Sequence, residues 1–140
     1  MKLVVHTDGG SLSNPGQAAI GYLIYTQDKS ELIHSAGRAI GVASNNVAEY
    51  TALITALAEI ANLRAQGTIK DLESIQVFAD SELMIKQING LYKVKHSDMR
   101  DLLMQVRMKE NELGVPIVYT HILREKNAEA DKLVKQALGR

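Results

Sequence analysis

Apolar residues arrive in short runs at the start of the chain and at helical spacing further on, and this change of period divides the sequence into elements. Leu3-Val4-Val5 opens a run that ends at His6-Thr7-Asp8-Gly9-Gly10, and a second run, Ala18 to Thr26, follows the turn sequence Asn14-Pro15-Gly16. The pattern predicts strand, tight turn, strand, with Asp8 delivered at a strand end. Gln27-Asp28-Lys29-Ser30 then turns into a third run, Glu31 to Ile40, and connections this short join antiparallel neighbours. After a small-residue loop at 41–46 the period becomes helical from Val47 to about Leu63, with Leu53, Ala56, Leu57, Ile60 and Leu63 on one face.

Ile75 to Ala79 is an apolar run broken only by Gln76, the pattern of a strand covered on both faces, and it stops at Asp80-Ser81. Because it follows a long helix, it is expected to lie parallel to the first strand through a right-handed crossover. Glu82 to Ile88 predicts a short helix, and Ser97 is the expected N-cap of a longer one that ends at Gly114. Ile117 to Ile122 predicts a fifth strand, and Asn127 the cap of a terminal helix carrying Leu133, Val134, Ala137 and Leu138. The resulting fold class is α/β, in the order βββαβααβα. Its five-stranded mixed sheet has the first three strands antiparallel and the last two parallel, with helices on both faces. With 140 residues, 46% of them hydrophobic, the chain fits a single domain over 1–140.

Sixteen basic and 16 acidic residues cancel, so net charge gives no support for nucleic-acid or membrane binding, and any such role must rest on local patches. The one clearly basic section, Lys86 to Lys109, includes Lys93 and Lys95. The absence of cysteine excludes disulfides and thiolate metal sites; oxygen and imidazole ligands remain, which favours a hard cation. No apolar run approaches the length of a membrane span and no signal peptide is evident, so a cytoplasmic protein without a membrane partner is expected, and a monomer.

Four carboxylates fall where this topology would gather them. Asp8 and Asp80 end adjacent strands, at the crevice where open α/β sheets bind ligands, while Glu49 and Asp131 are expected in the first turns of their helices. Each has an ordinary structural use: Asn46 and Glu49 have capping-box spacing, Asp131 suits a helix start, and Asp8 with Ser11 and Asn14 suits a turn. Converging on one crevice, however, four like charges repel and raise one another's pKa unless a cation neutralises them. Mg²⁺ or Mn²⁺ is the natural occupant. Two such ions about 3.5–4 Å apart, bridged by Asp8, would activate water and stabilise the leaving oxygen of a phosphoryl displacement. An Asp-Gly-Gly also occurs in nucleotide-dependent ATPases, but the chain has no Walker loop.

The segments HTDGGSLSNPG (6–16), NNVAEYTAL (45–53), Asp80-Ser81 and REKNAEADKLV (124–134) resemble the four motifs of ribonuclease H of type 1, over nearly the whole chain. The resemblance implies an endoribonuclease that hydrolyses the RNA strand of RNA–DNA hybrids with two Mg²⁺ or Mn²⁺ ions, leaving a 5′-phosphate and a 3′-hydroxyl. It assigns the metal ligands to Asp8, Glu49, Asp80 and Asp131. Substrate contacts fall on Gly9, Gly10, Ser11, Asn14, Asn45, Asn46 and Ser81, small polar groups suited to shallow-groove recognition through 2′-hydroxyls. His121 stands where a flexible-loop histidine of the family would align, and Arg124 is closer to the loop proper. The chain is similar to a branch with Arg-Glu-x-Asn before the last helix and without the basic handle. Lys93 and Lys95 are then the candidates for holding the DNA strand's phosphates. Two function classes stay open at this stage: the hybrid-cutting enzyme, with or without relaxed specificity towards double-stranded RNA, and a catalytically weak or inactive nucleic-acid-binding module of the same fold.

Overall fold

β1 (Lys2–Ser11), β2 (Gly16–Thr26) and β3 (Leu32–Ala43) form an antiparallel meander in the computed structural model, which describes residues 1–140. β4 (Ser74–Ala79) pairs in parallel with the other edge of β1, and β5 (Ile117–His121) pairs in parallel with β4. The sheet order β3-β2-β1-β4-β5 matches the arrangement expected from connection lengths. Between and after the strands lie α1 (Asn45–Ala65), α2 (Glu82–Ile88), α3 (Ser97–Leu113) and α4 (Ala128–Ala137), with one 3₁₀ turn at Arg124–Lys126.

Strand alternation sends successive side chains to opposite faces. Leu3, Val5, Tyr22, Ile24, Ile75 and Val77 meet Leu53, Leu57 and Ile60 of α1 in the main core, which Val106 and Leu113 of α3 extend. The other face of β1, β2 and β3 is covered by α4. Here two glycines permit the approach: a Cβ at Gly21 would lie 2.6 Å from the Ala130 carbonyl oxygen, and one at Gly37 would lie 2.7 Å from that of Leu133.

Several boundaries differ from the sequence expectation, and each difference has a local cause. β1 does not stop at Asp8. Its pairing with β2 continues to Ser11 opposite Ala18, whereas its pairing with β4 ends at Thr7 opposite Ala79. Asp8 is therefore inside a strand towards one neighbour and just past the end towards the other. Asp-Gly-Gly, which reads as a turn, stays extended because α1 crosses against it. A Cβ at Gly9 would come within 2.3 Å of the Ala48 carbonyl group, so a side chain has no room there.

α1 is capped by Ser44, whose hydroxyl accepts from the Val47 amide at 3.2 Å. Glu49 consequently sits in the second turn, not the first, and the Asn46–Glu49 capping box does not form. α3 begins at Ser97 itself, with His96 at the N-cap position and no side-chain cap. Its end at Gly114, in the left-handed conformation at φ 67°, is as predicted. β3 runs to Ala43, beyond Ile40, because its last residue pairs with Gly16 across the meander.

Candidate active site

Asp8 (β1), Glu49 (α1) and Asp80, the residue after β4, each present a carboxylate oxygen within 4.8 Å of the others. The register delivers Asp8 and Asp80 side by side, and the Gly9–Ala48 approach brings the second turn of α1, with Glu49, over the end of β1. Asp8 and Glu49 are almost fully buried, and Asp80 is partly so.

Electrostatics follow from this crowding. Burial, then the charges of Asp80 and Asp131, push the Asp8 carboxyl up to about 7, although the hydrogen bond with Glu49 works the other way. Burial also lifts Glu49 well above the usual carboxylate range, helped by the charges of Asp8 and Asp80. Asp80 is raised too, again mainly by burial and against the pull of Asp8's hydrogen bond and the Arg124 charge. One oxygen of Glu49, Oε2, is buried with no hydrogen-bond partner. A buried carboxylate oxygen without a donor, beside two further carboxylates and no sulfur ligand, is an all-oxygen donor set that fits a hard divalent cation.

Asp131 corrects the expectation of four mutually raised acids. It lies in the first turn of α4 and lines the same cleft, of about 360 Å³, yet it stands outside the close triad. Burial opposes its charge, but Lys135 at 2.9 Å and Arg124 at 3.5 Å outweigh that and hold its pKa below the usual value. Its counter-charge is already supplied by the protein. Lys135 escaped the sequence reading although the signal was present: four residues after Asp131, it shares that residue's helix face.

The remaining candidates divide by position. Gly9, Gly10, Ser11, Asn45, Asn46, Ser81 and Arg124 line the cleft with the four acids. Asn45 Oδ1 accepts from the Ser11 amide at 2.9 Å and from its hydroxyl at 3.1 Å, while Asn14 Oδ1 accepts from the Asn45 amide at 3.0 Å. These bonds join the β1–β2 turn to the start of α1. The Ser81 hydroxyl is engaged in capping α2, accepting from the Met84 amide at 3.2 Å. His121 ends β5 outside the cleft lining, with Nδ1 3.9 Å from Glu82 Oε2. Lys93 and Lys95 lie in the segment between α2 and α3, also outside it.

The sequence model of the RNase H family matches residues 1–139. The chain belongs to the RNase H family. Among curated RNase H relatives, it is 37% identical over 138 residues to the Bifunctional protein Rv2228c of Mycobacterium tuberculosis, covering 99% of this chain and 36% of that protein. To the Ribonuclease HI of Halobacterium salinarum it is 36% identical over 132 residues, covering 94% of this chain and 61% of that one. It thus spans about a third to three-fifths of the length of these relatives. Among solved structures, LC11-RNase H1 in complex with an RNA/DNA hybrid superposes with a TM-score of 0.87 at 38% identity, covering 98% of this chain and 96% of that one. The N-terminal RNase H domain of the Mycobacterium tuberculosis protein also gives 0.87, at 36% identity and 98% coverage of both chains.

Proposed function

We propose that this RNase H hydrolyses the RNA strand of RNA–DNA hybrids with two divalent ions, Mg²⁺ or Mn²⁺, leaving a 5′-phosphate and a 3′-hydroxyl. The observation that carries the reading is the triad of raised carboxylates around the unpartnered Glu49 Oε2. Asp8, Glu49, Asp80 and Asp131 are the proposed metal ligands. When bound, the ions supply a hydroxide-like nucleophile and positive charge at the leaving oxygen.

The chain's own groups do the rest. Asp8 has both Glu49 and Asp80 beside it, one residue past the last β1 position that β4 pairs, and would be the central ligand of the set. Asn45 is held by Ser11 and Asn14 through its Oδ1 and its main-chain amide, leaving the side-chain Nδ2 to donate to a 2′-hydroxyl in a shallow groove. Arg124, with its side chain 75% exposed at the cleft, can turn from Asp131 to a phosphate. LC11-RNase H1, similar to this chain, is seen with an RNA/DNA hybrid, which supports the same substrate class here.

The deciding test is a hybrid of about 12–20 base pairs, labelled on the RNA or the DNA strand in turn and incubated with Mg²⁺ or Mn²⁺. RNA-strand cuts bearing 5′-phosphates are expected. Absence of cleavage at every metal concentration would leave a binding module. Adding a double-stranded RNA of the same length reads specificity directly.

Of the basic section, Lys86, Arg107 and Lys109 are paired with Glu82, Glu110 and Glu112. Lys93 and Lys95 carry no such partner and are the proposed contacts for the DNA strand. Replacing both by alanine should raise KM and flatten its dependence on salt, with kcat little changed. An unchanged salt slope would return them to solvent.

A further inference from the structure

We infer that His6 and Asn127 form a positioning pair that sets the separation of Asp8 and Asp131, and with it the affinity of the acidic cleft for divalent ions. The inference rests on the metal-binding reading above and adds two residues that the motif comparison did not assign.

Asn127 is at the N-cap position of α4 and is 1% exposed, yet its side chain makes no capping bond. Asparagine usually earns that position through such a bond. Here the amide reaches across to β1: Nδ2 donates to the Thr7 carbonyl at 2.8 Å, and Oδ1 lies 3.1 Å from His6 Nδ1. The main-chain carbonyl of the same residue accepts from the Asp131 amide at 3.1 Å. Thr7 precedes Asp8 and is the last residue of β1 that β4 pairs. A single side chain therefore ties the strand that carries Asp8 to the helix turn that carries Asp131.

The direction of each bond is fixed by chemistry. Since the Thr7 carbonyl can only accept, the Asn127 nitrogen must face it, and Oδ1 is left to accept from His6. The ring proton is then on Nδ1. Nε2 becomes a bare acceptor, and it is buried without a partner. Leaving that atom unsatisfied opposes folding, and nothing in the packing demands it, because the ring stacks on Phe78 at 5.3 Å and meets Tyr25 edge-on at 6.3 Å as a phenyl ring would. What histidine adds over phenylalanine is the Nδ1 donor that orients Asn127. Outer groups of this kind orient ligands and commonly change metal affinity 10- to 100-fold.

His6→Phe is the informative variant. Free Mn²⁺ is followed by electron paramagnetic resonance during titration of the wild-type and variant proteins, with melting temperature measured alongside. The expected result is a melting temperature near wild type, since the orphaned Nε2 is exchanged for an unpaired Asn127 Oδ1, together with Mn²⁺ affinity about tenfold weaker. On hybrid substrate kcat falls at limiting metal while KM stays near wild type. Asn127→Ala, where it folds, should lose affinity at least as much, and the two losses should not add, since each breaks the same connection. Unchanged Mn²⁺ affinity in a folded His6→Phe overturns the inference. So does a His6→Phe that melts well below wild type, which would make the ring structural. A wild-type protein that takes up no Mn²⁺ overturns the metal-binding reading itself, and the inference with it.

Discussion

Asp8→Asn should abolish hybrid cleavage, a loss on the order of 10³-fold or more, while leaving the metal-free protein as stable as wild type or more so. Both halves have the same origin. Asp8 is buried, touches two other acids and is held up to about 7, so ionising it without a cation costs the folded state. Asparagine has the shape of the protonated acid and none of the charge. The gain should depend on pH in a definite direction: smallest near pH 4, where the unfolded chain also holds the proton, growing up to about 7 and constant above it. Melting curves of both proteins at pH 5 and 8, without metal, check this. A variant that melts much lower at pH 8 would make Asp8 a structural residue of the β1–β2 hairpin and remove the centre of the proposed site.

The metal-free wild-type protein should itself lose stability as pH rises from about 4 to 8. Asp8, Glu49 and Asp80 all have folded pKa values raised above their unfolded ones, so across this window the native state binds more protons than the unfolded chain. Stability falls wherever that is so. Asp131 works in the opposite sense: its pKa is lowered, so its contribution is complete above the unfolded value and is lost only in acid. Divalent ions compete with protons for the raised carboxylates and should act most strongly at high pH, flattening the decline. At a hundredfold excess over the dissociation constant the effect is about 2.7 kcal/mol, about 5–10 °C in melting temperature for a chain of this size. A melting temperature indifferent to Mg²⁺ and Mn²⁺ at pH 8 would remove the two-ion proposal.

Much of this was readable in the linear chain because the relevant signals are periodic or local. The change from strand runs to helical spacing after residue 46, the short connections and the left-handed Gly114 placed the elements, and the element order placed Asp8 beside Asp80. What stayed hidden depends on how elements meet. Asp-Gly-Gly reads as a turn because the requirement that keeps Gly9 small, the Ala48 carbonyl, lies 39 positions away on another element. Asn127 has the identity of a cap and the position of a cap, so nothing local reveals that its side chain is committed to β1. The depressed Asp131 belongs to the same class of surprise: convergence of four acids is legible from order, but the ammonium and guanidinium that neutralise one of them become neighbours only when α4 and the 3₁₀ turn are in place.

The sheet order also sorts the proposed ligands by how firmly each is anchored. β1 is flanked by strands on both sides and carries Asp8, whereas Asp131 rides on a helix of 10 residues that is joined to the sheet through its packing and the Asn127 bridge. Local opening draws first on elements with few such ties. Asp8 is set in the middle of the sheet, whereas Asp131 would have to exchange Lys135 and Arg124 for a divalent ion before it could serve as a ligand.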